Sequence, residues 1–231
     1  GLASSASGLA ALAGAASDAL GLNLSPKDLS RLARKGSGSA CRSIFGGFVE
    51  WEQGTTDEDS FAVPIESSDW DIGMIFIIVN DGKKEISSTE GMRRAVNTSP
   101  YYSAWKDSTA EDLKEIKVAI QNHDFNTLGE IAEHSALKMH ALNISSQPPF
   151  NYWSPRSIEA MNFVKMLRDK GYSTYFTMDA GPNVKLICKA SELEEIYDEL
   201  LEQYSPSQLV KAYPGPGISK ITEDQVTQIG S

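Results

Sequence analysis

The chain opens with Gly1-Leu-Ala-Ser-Ser-Ala-Ser-Gly8, and an Ala/Leu-rich run follows up to Leu20. The run predicts a helix from about Ser7 to Leu20, and the serines at its start can accept hydrogen bonds from N–H groups that have no partner inside the helix. Because the N-terminus of a helix carries partial positive charge, a Gly/Ser segment at this point is suited to bind phosphate. On composition alone, a helix start without a ligand is the simpler interpretation.

The overall composition limits the classes of partner. The 231 residues are enough for one large domain or two smaller ones, and 41% of them are hydrophobic. A formal net charge of −10 opposes general attraction to nucleic acid or to an anionic membrane. The longest strongly apolar run, at residues 72–79, is far shorter than the roughly 20 residues of a membrane helix. We therefore expect neither nucleic acid nor a membrane among the partners.

The cysteines and histidines form no metal-binding pattern. Cys41 and Cys188 lie far apart in the sequence, which favours free thiols and a cytoplasmic protein. Cys41 is next to Arg42 and could be a reactive thiolate, although a small buried residue is the simpler interpretation. The histidines lack the i, i+4 spacing of helical metal ligands, so surface or supporting roles are expected for them. They are His123, His134 and His140.

In the first part of the chain, a second helix is predicted to begin after Ser25, whose hydroxyl can cap it. A second small-residue loop follows at residues 36–43 and leads into an aromatic strand, Phe48-Val-Glu-Trp51. Residues 61–65 are expected to form a short edge strand that is stopped at Pro64. A linker-like segment at residues 66–71 precedes the apolar run at residues 72–79. We therefore predict two domains, at residues 1–70 and 71–231.

The second domain is predicted to be α+β, with helices covering one face of a largely antiparallel sheet. The predicted strands lie at residues 72–79, 172–178, 184–188 and 209–218, and the helices at residues 110–122, 125–142, 155–170 and 191–204. The first strand is expected to be buried on both faces, and the second and third to form a hairpin or two neighbouring strands. A capping box formed by Ser191 and Glu194 is expected to start the last helix.

Three small-residue segments carry candidate functional side chains: residues 1–8, residues 36–43 and the turn at residues 179–183. The chain contains neither a P-loop nor a Rossmann fingerprint after a strand. A nucleotide would therefore be held by backbone N–H groups, serine hydroxyls and Mg²⁺, without a lysine inside the phosphate loop.

Two of these segments resemble a known family. Residues 36–51 read Gly36-Ser-Gly-Ser-Ala-Cys-Arg-Ser-Ile-Phe-Gly-Gly-Phe-Val-Glu-Trp51, and residues 175–185 read Tyr175-Phe-Thr-Met-Asp-Ala-Gly-Pro-Asn-Val-Lys185. Both resemble segments of diphosphomevalonate decarboxylases of the bacterial type. The opening segment, residues 1–8, resembles the phosphate loop of the GHMP kinase superfamily, to which that family belongs. The similarity runs in one order from residue 1 to about residue 218.

The resemblance implies a two-domain GHMP kinase-like fold. Residues 1–70 would be the remainder of a nucleotide-binding domain that resembles domain 2 of ribosomal protein S5, and residues 71–231 a ferredoxin-like domain. It also implies a homodimer and an ATP-dependent reaction of the mevalonate pathway of isoprenoid biosynthesis. In that reaction the 3-hydroxyl of mevalonate 5-diphosphate is phosphorylated, and loss of this phosphate and of CO₂ leaves isopentenyl diphosphate.

The same resemblance assigns the cofactor contacts to the opening segment. ATP would be bound by four residues: Gly1, Ser4, Ser5 and Ser7. Of these, Ser5 would also contact Mg²⁺. Phosphoryl transfer depends mostly on positioning and on neutralising charge, which is why the metal and an N–H-rich segment are needed.

The resemblance also implies the residues that meet the substrate. Ser37 and Ser39 would bind its diphosphate, and Arg42 its carboxylate or diphosphate. Ser88 would lie between the two phosphate sites, and Asp179 would contact the 3-hydroxyl. Catalytic roles would then fall to Arg42, Ser88 and Asp179.

These residue types suit the chemistry. A tertiary alcohol is a poor nucleophile, so an adjacent carboxylate such as that of Asp179 must orient it or take its proton. The planar, permanently charged guanidinium of Arg42 can pair with two oxygens of an anion at once. Without the resemblance, Asp179 in Asp-Ala-Gly-Pro-Asn is more simply a turn former, and Arg42 a surface ion-pair partner.

The sequence departs from the family in two places. Thr89 follows Ser88 where the family pattern has arginine, so one diphosphate contact is missing or supplied elsewhere. The family's N-terminal segment, with further diphosphate contacts, has no counterpart before Gly1, so we expect an N-terminally truncated chain. The alternatives are therefore a GHMP-type small-molecule kinase that does not decarboxylate, or a catalytically inactive fragment.

Overall fold

The computed structural model describes residues 4–66, 69–79 and 85–221, with the side chains of Ser4 and Glu66 excepted. Contacts within the chain divide it into two compact units. The first, here called the N-terminal unit, comprises the described residues from Ser4 to Asp69 together with those from Pro214 to Ile221. The second, called the C-terminal unit, is Trp70–Tyr213. None of the described helices is long and apolar enough to cross a membrane.

The N-terminal unit begins with two helices. They are α1, Ser4–Ala19, and α2, Pro26–Gly36. Helix α1 starts three residues earlier than predicted, so the candidate hydroxyls of this region lie on a helix and not in a loop. The predicted cap of α2 is confirmed, because the Ser25 side chain accepts a hydrogen bond from the Asp28 N–H at 3.1 Å.

A short 3₁₀ helix and a two-stranded ribbon complete this unit. The 3₁₀ helix, Gly38–Ile44, occupies most of the segment predicted as a loop. Strands β1, Phe48–Trp51, and β2, Ala62–Glu66, pair antiparallel. The prediction that β2 stops at Pro64 is wrong, since Pro64 pairs with Val49 inside the ribbon. A strand with only one described neighbour has a free edge, where the missing N–H of proline is tolerated.

A small core of alanines joins α1, α2 and the 3₁₀ helix. Its buried members are Ala10, Ala13, Ala33, Ala40 and Ile44. Ser30, which is fully buried, links three elements: its hydroxyl donates to the Cys41 carbonyl at 3.1 Å and accepts from the Ala62 N–H at 2.9 Å. This serine therefore fixes α2 against both the 3₁₀ helix and β2.

The described residues from 214 to 221 pack within the N-terminal unit. The Ile218 N–H donates to the Ile44 carbonyl at 3.2 Å. At Gly217, an added Cβ would lie 2.4 Å from that carbonyl oxygen, so only glycine permits this approach. The last strand is therefore shorter than the predicted residues 209–218 and ends at Ala212, before the Pro-Gly-Pro-Gly segment.

The C-terminal unit contains a four-stranded antiparallel sheet in the order β4-β5-β3-β6. The strands are β3, Gly73–Ile77; β4, Thr174–Thr177; β5, Val184–Cys188; and β6, Leu209–Ala212. The predicted hairpin is confirmed, since β4 and β5 pair across the turn that separates them. The helices are α3, Ser88–Thr98; α4, Tyr102–Gln121; α5, Phe125–Ser145; α6, Pro155–Asp169; and α7, Leu193–Leu201.

Helices α6 and α7 cover one face of the sheet. The core that they form with it includes Ile75, Ile77, Leu186, Val164 and Leu193. The expectation that β3 is buried on both faces is wrong, because its burial alternates along the strand and its even-numbered residues are half-buried. Alternation of this kind is typical of an antiparallel sheet packed mainly on one side.

On the other face, α5 lies against β4. The rings of Phe125 and Tyr175 are 5.9 Å apart. At Gly129, an added Cβ would lie 2.0 Å from the Tyr175 ring, so the glycine lets the ring pack directly on the helix backbone. The mixed helix-and-sheet architecture confirms the α+β prediction, but the expectation that helices cover only one face of the sheet is wrong, because α5 packs on the face opposite α6 and α7.

The start of α7 differs from the prediction. No capping box forms between Ser191 and Glu194, because both polar groups of Ser191 bind Asp71. The Ser191 N–H donates to Asp71 Oδ1 at 2.8 Å, and its hydroxyl donates to Oδ2 at 2.7 Å. A tertiary partner thus replaces the local cap, and α7 begins only at Leu193.

Candidate functional site

The first candidate group lies at the start of α1. Ser5 and Ser7 are exposed in the first turns of the helix, whose leading N–H groups have no intrahelical acceptor. Gly1 lies outside the described residues, and so does the side chain of Ser4. The described hydroxyls can therefore meet an anion at the positive end of a helix dipole.

The second candidate group lies on the 3₁₀ helix. The hydroxyls of Ser37 and Ser39 are 3.2 Å apart and half-buried. Ser37 also ends α2, since its N–H donates to the Ala33 carbonyl at 3.2 Å. The two hydroxyls are thus held side by side by backbone structure.

Arg42 differs from its neighbouring arginines. Its side chain is exposed, and within the described ranges it has neither an ion pair nor a side-chain hydrogen bond. By contrast, Arg31 and Arg34 both bind Asp57, with contacts of 2.8 and 2.5 Å. The guanidinium of Arg42 is thus a free cation for an anionic ligand, and the surface ion pair considered above does not occur with a described partner.

Cys41, next to Arg42, is not a reactive thiolate. Its side chain is fully buried and donates to the Gly38 carbonyl at 2.9 Å. Burial raises the pKa of the thiol above its usual value. Cys188 is also buried, and burial raises its pKa to about 12. Both residues serve as packing groups.

The third candidate group is the turn between β4 and β5. Asp179 opens a tight turn in which the Gly181 N–H donates to the Asp179 carbonyl at 2.8 Å. The Ser157 hydroxyl donates to the Pro182 carbonyl at 2.7 Å, and the Val79 N–H donates to Asn183 Oδ1 at 3.0 Å. Contacts from α6 and from the residue segment after β3 therefore hold this turn in place.

The carboxylate of Asp179 remains accessible. Its side chain is 69% exposed and forms an ion pair with Lys185, a buried residue of β5. Sequence reasoning did not single out Lys185. The available signal was the composition of the strand, because a lysine inside an otherwise apolar strand, Val184–Cys188, needs a charged partner.

His140, for which a surface or supporting role was expected, is a second group near Asp179. It is 1% exposed on α5, so it does not lie on the surface as His123 and His134 do. Burial lowers its pKa to about 4, while the backbone and charge of Asp179 act in the opposite direction. Within the described residues, neither of its ring nitrogens has a hydrogen-bond partner. The ring is therefore neutral at physiological pH.

Ser88 is connected to this region through aromatic side chains. It is the exposed first residue of α3, and the preceding Ser87 caps the helix by accepting from the Glu90 N–H at 3.1 Å. The Tyr152 hydroxyl donates to the Ser87 carbonyl at 3.2 Å, and its ring meets the His140 ring edge-on at 6.1 Å. Contacts thus run from the start of α3 through Tyr152 and His140 to the Asp179 turn.

The residues fit a nucleotide better than a metal held by the protein alone. The described part of the chain contains no group of three His, Cys, Asp or Glu side chains that could hold a metal ion. Mg²⁺ usually keeps several waters and binds phosphate oxygens with one or two protein ligands, so a single hydroxyl such as that of Ser5 is compatible with it. The helix start at Ser5 and Ser7 supplies donors for the phosphates.

Two family models match this chain. The model described as Diphosphomevalonate decarboxylase-like N-terminal domain matches residues 1–62. The model described as Mevalonate 5-diphosphate decarboxylase C-terminal domain matches residues 74–228. The matched ranges contain every candidate site residue named above.

Individual relatives agree with the family models. The diphosphomevalonate decarboxylase of Ganoderma lucidum is 40% identical over 217 residues, which cover 89% of this chain and 54% of that protein. This chain therefore spans about half the length of the curated relatives that it matches.

Solved structures extend the comparison. The mevalonate diphosphate decarboxylase of Staphylococcus aureus is 50% identical, with a TM-score of 0.92 over 96% of this chain and 68% of that chain. The structure of MDDEF in complex with MVAPP, AMPPCP and magnesium is 55% identical, with a TM-score of 0.90 over 95% of this chain and 68% of that chain. Since one family model alone matches more than half of its residues, this chain belongs to the mevalonate 5-diphosphate decarboxylase family.

Proposed function

We propose that this protein catalyses the ATP-dependent decarboxylation of (R)-5-diphosphomevalonate to isopentenyl diphosphate, with release of ADP, phosphate and CO₂. The observation that carries the proposal is the similarity to a solved relative in complex with MVAPP, AMPPCP and magnesium, at 55% identity over 95% of this chain. The side chains described above supply the types of group that this reaction needs.

Arg42, Ser37 and Ser39 are proposed to bind the anionic substrate. The substrate carries a carboxylate and a diphosphate, and Arg42 offers an exposed guanidinium without a described ion pair. A fork of N–H donors pairs with two oxygens of such a group, which a lysine ammonium does not reproduce. The paired hydroxyls of Ser37 and Ser39, 3.2 Å apart, can donate to neighbouring phosphate oxygens.

Ser5 and Ser7 are proposed to bind the phosphates of ATP, together with Gly1 and Ser4, and Ser5 is proposed to contact Mg²⁺ as well. The support is the exposure of the two described hydroxyls at the start of α1. When bound, ATP and Mg²⁺ supply the transferable phosphoryl group and neutralise its charge. The serines would orient this group toward the substrate.

Asp179 is proposed to orient the 3-hydroxyl and to hold its proton during phosphorylation. Ser88 is proposed to lie between the two phosphate sites. The support for Asp179 is an accessible carboxylate on a turn whose backbone is fixed.

After phosphorylation, the bond from C3 to oxygen breaks and phosphate leaves with the electron pair. The electrons of the bond to the carboxylate then form the new double bond as CO₂ departs, so this step needs no covalent nucleophile from the protein.

Further features of the proposal concern the protein in its cell. A cytoplasmic location is supported by the two free, buried cysteines, which suit a reducing compartment. A homodimer is proposed from the resemblance to the family alone, and the oligomeric state can be measured by light scattering. The reaction itself would place the protein in isoprenoid biosynthesis and thus in lipid metabolism.

The proposal is tested with mevalonate 5-diphosphate labelled at its carboxylate. We expect release of labelled CO₂ that requires ATP, with one ADP and one isopentenyl diphosphate formed for each CO₂. Formation of ADP without CO₂ would instead identify a small-molecule kinase of the same superfamily. Absence of both products, with the protein folded and both ligands present, would contradict catalysis by this chain.

A further inference from the structure

Lys185 is a buried lysine whose charge is directed at the candidate catalytic carboxylate. Its side chain is 10% exposed, whereas that of its ion-pair partner Asp179 is 69% exposed. Lysine is almost never buried unless it is paired, because its ammonium loses hydration. The position therefore depends on Asp179 for its charge partner.

The backbone of Lys185 is fixed on both sides. It pairs with Thr177 of β4 and with Phe76 of β3, so it lies inside the sheet and not at its edge. Its ammonium also lies 5.8 Å from the centre of the Phe76 ring. The side chain of Lys185 thus extends from a rigid strand, and its ammonium contacts the turn at Asp179.

The other described hydrogen bonds of the turn do not involve the Asp179 carboxylate. Ser157 binds the Pro182 carbonyl, and Asn183 accepts from the Val79 N–H. His140 is close to Asp179, but neither of its ring nitrogens forms a hydrogen bond with a described residue. Among the residues that the structure describes, Lys185 alone forms an ion pair with the Asp179 carboxylate.

We propose that Lys185 is a positioning residue that fixes Oδ2 of Asp179 and so directs Oδ1 toward the substrate hydroxyl. This inference rests on the catalytic role proposed for Asp179. An exposed aspartate samples several rotamers, and a contact from a rigid strand selects one of them before substrate binds. The same ammonium offsets the charge of a carboxylate that must approach a polyanionic substrate.

Lys211 provides a matched control in the same sheet. It lies on β6, its ion-pair partner Glu194 is also 69% exposed, and its ammonium lies 4.1 Å from the centre of the Tyr197 ring. Neither Lys211 nor Glu194 forms a hydrogen bond or an ion pair with a described residue of the Asp179 turn. A loss that follows only from removing a strand lysine should therefore appear in both variants.

The test compares K185M, K185Q, K185R and K211M in the protein for which CO₂ release has been measured. We expect kcat of K185M to fall about 100-fold with less than about threefold change in substrate KM, as misplaced catalytic groups typically cause. K185R should retain more activity than K185Q, because it keeps a cation near Asp179. K211M should stay within about twofold of wild type.

Two results would overturn the inference: wild-type kcat in K185M, or a raised KM with unchanged kcat. If K185M does not fold, as judged by circular dichroism, the other two variants decide, and equal kcat values for K185R and K185Q would contradict the role. D179N is measured in parallel. Normal turnover of D179N would remove the proposed role of Asp179 itself, whereas an inactive D179N beside a fully active K185M would remove only that of Lys185.

Discussion

The candidate cation of the N-terminal unit, Arg42, and the candidate carboxylate of the C-terminal unit, Asp179, differ in how far neighbouring residues hold them. Arg42 is exposed and has no ion pair with a described residue, although the nearby Arg31 and Arg34 are both bound to Asp57. Asp179 is also exposed, but its turn and its carboxylate are both held. A residue that binds an anion must keep its charge available, whereas a residue that acts on a reacting atom must be held in place beforehand.

The contrast predicts that the two regions affect different kinetic constants. Loss of a binding group should raise KM or the dissociation constant of the substrate, and loss of the preorganised carboxylate should lower kcat. Each variant below tests this separation, or tests the environment that creates it.

The largest effect is expected for D179N. The amide has the shape of the carboxylate but cannot hold the proton of the 3-hydroxyl, so CO₂ release should fall by at least about 1,000-fold. Substrate affinity, measured by isothermal titration, should stay within a few-fold of wild type. The exposed Asp124, which caps α5, provides the control: D124N keeps the cap and should keep full activity. Turnover of D179N at the wild-type rate would exclude the assigned role.

The next largest effect is expected on the pH dependence of folding stability, and its source is His140 near the Asp179 turn. Burial lowers the pKa of His140 from its ordinary 6.5 to about 4, so as the pH falls the unfolded chain takes up a proton before the folded unit does. The contribution of His140 is therefore complete above pH 6.5 and is lost between pH 6.5 and pH 4, by about 3 kcal/mol in total.

Urea unfolding at pH 7 and at pH 4.5 measures this loss. H140F should remove most of the difference between the two pH values, because phenylalanine does not titrate. H134Q, a change at an exposed histidine of the same helix, should leave the difference as in wild type. An unaltered pH dependence in H140F would mean that other groups cause the acid destabilisation.

A somewhat smaller effect is expected for Arg42. R42M removes a charged, bidentate donor and should raise substrate KM about 100-fold, and R42K should recover only part of this loss. R34M, in the same unit, should lower stability through its lost contact with Asp57 and leave KM unchanged. Steady-state kinetics and thermal unfolding of the three variants separate these outcomes. An unchanged KM in both Arg42 variants would remove this residue from the site.

The smallest effect is expected for the serines of α1. S5A should raise KM for ATP several-fold, because one neutral hydrogen bond contributes about 1 kcal/mol. S7A should have a smaller effect, since Ser5 is the residue assigned to the metal as well. Dependence of the rate on Mg²⁺ concentration provides the second measurement, and it should change in S5A only. Identical behaviour of S5A and wild type in both measurements would contradict the assignment.

The sequence predicted the features that arise from neighbouring residues. The cap at Ser25, the hairpin of β4 and β5 and the amphipathic helices follow from local patterns, and the structure contains them. Candidate residues such as Arg42 and Asp179 came from a resemblance between whole segments, and the structure adds their exposure and their partners.

Contacts between distant residues were not predictable. Asp71 accepts hydrogen bonds from both the N–H and the hydroxyl of Ser191, which lies 120 positions away. The local capping box therefore does not form. Asn183 binds the N–H of Val79, 104 positions away, and this contact helps to hold the Asp179 turn. His140 showed no local sign of burial, since it becomes buried only when α5 packs beside Tyr152 and Trp153.

The most direct test of the division of roles is to measure substrate affinity and single-turnover CO₂ release in parallel for D179N and R42M. We predict that D179N binds mevalonate 5-diphosphate nearly as wild type does and releases almost no CO₂. R42M should bind it weakly and release CO₂ at a rate close to wild type once the substrate is saturating. Equal losses of affinity and rate in both variants would contradict the division between a free binding cation and a preorganised carboxylate.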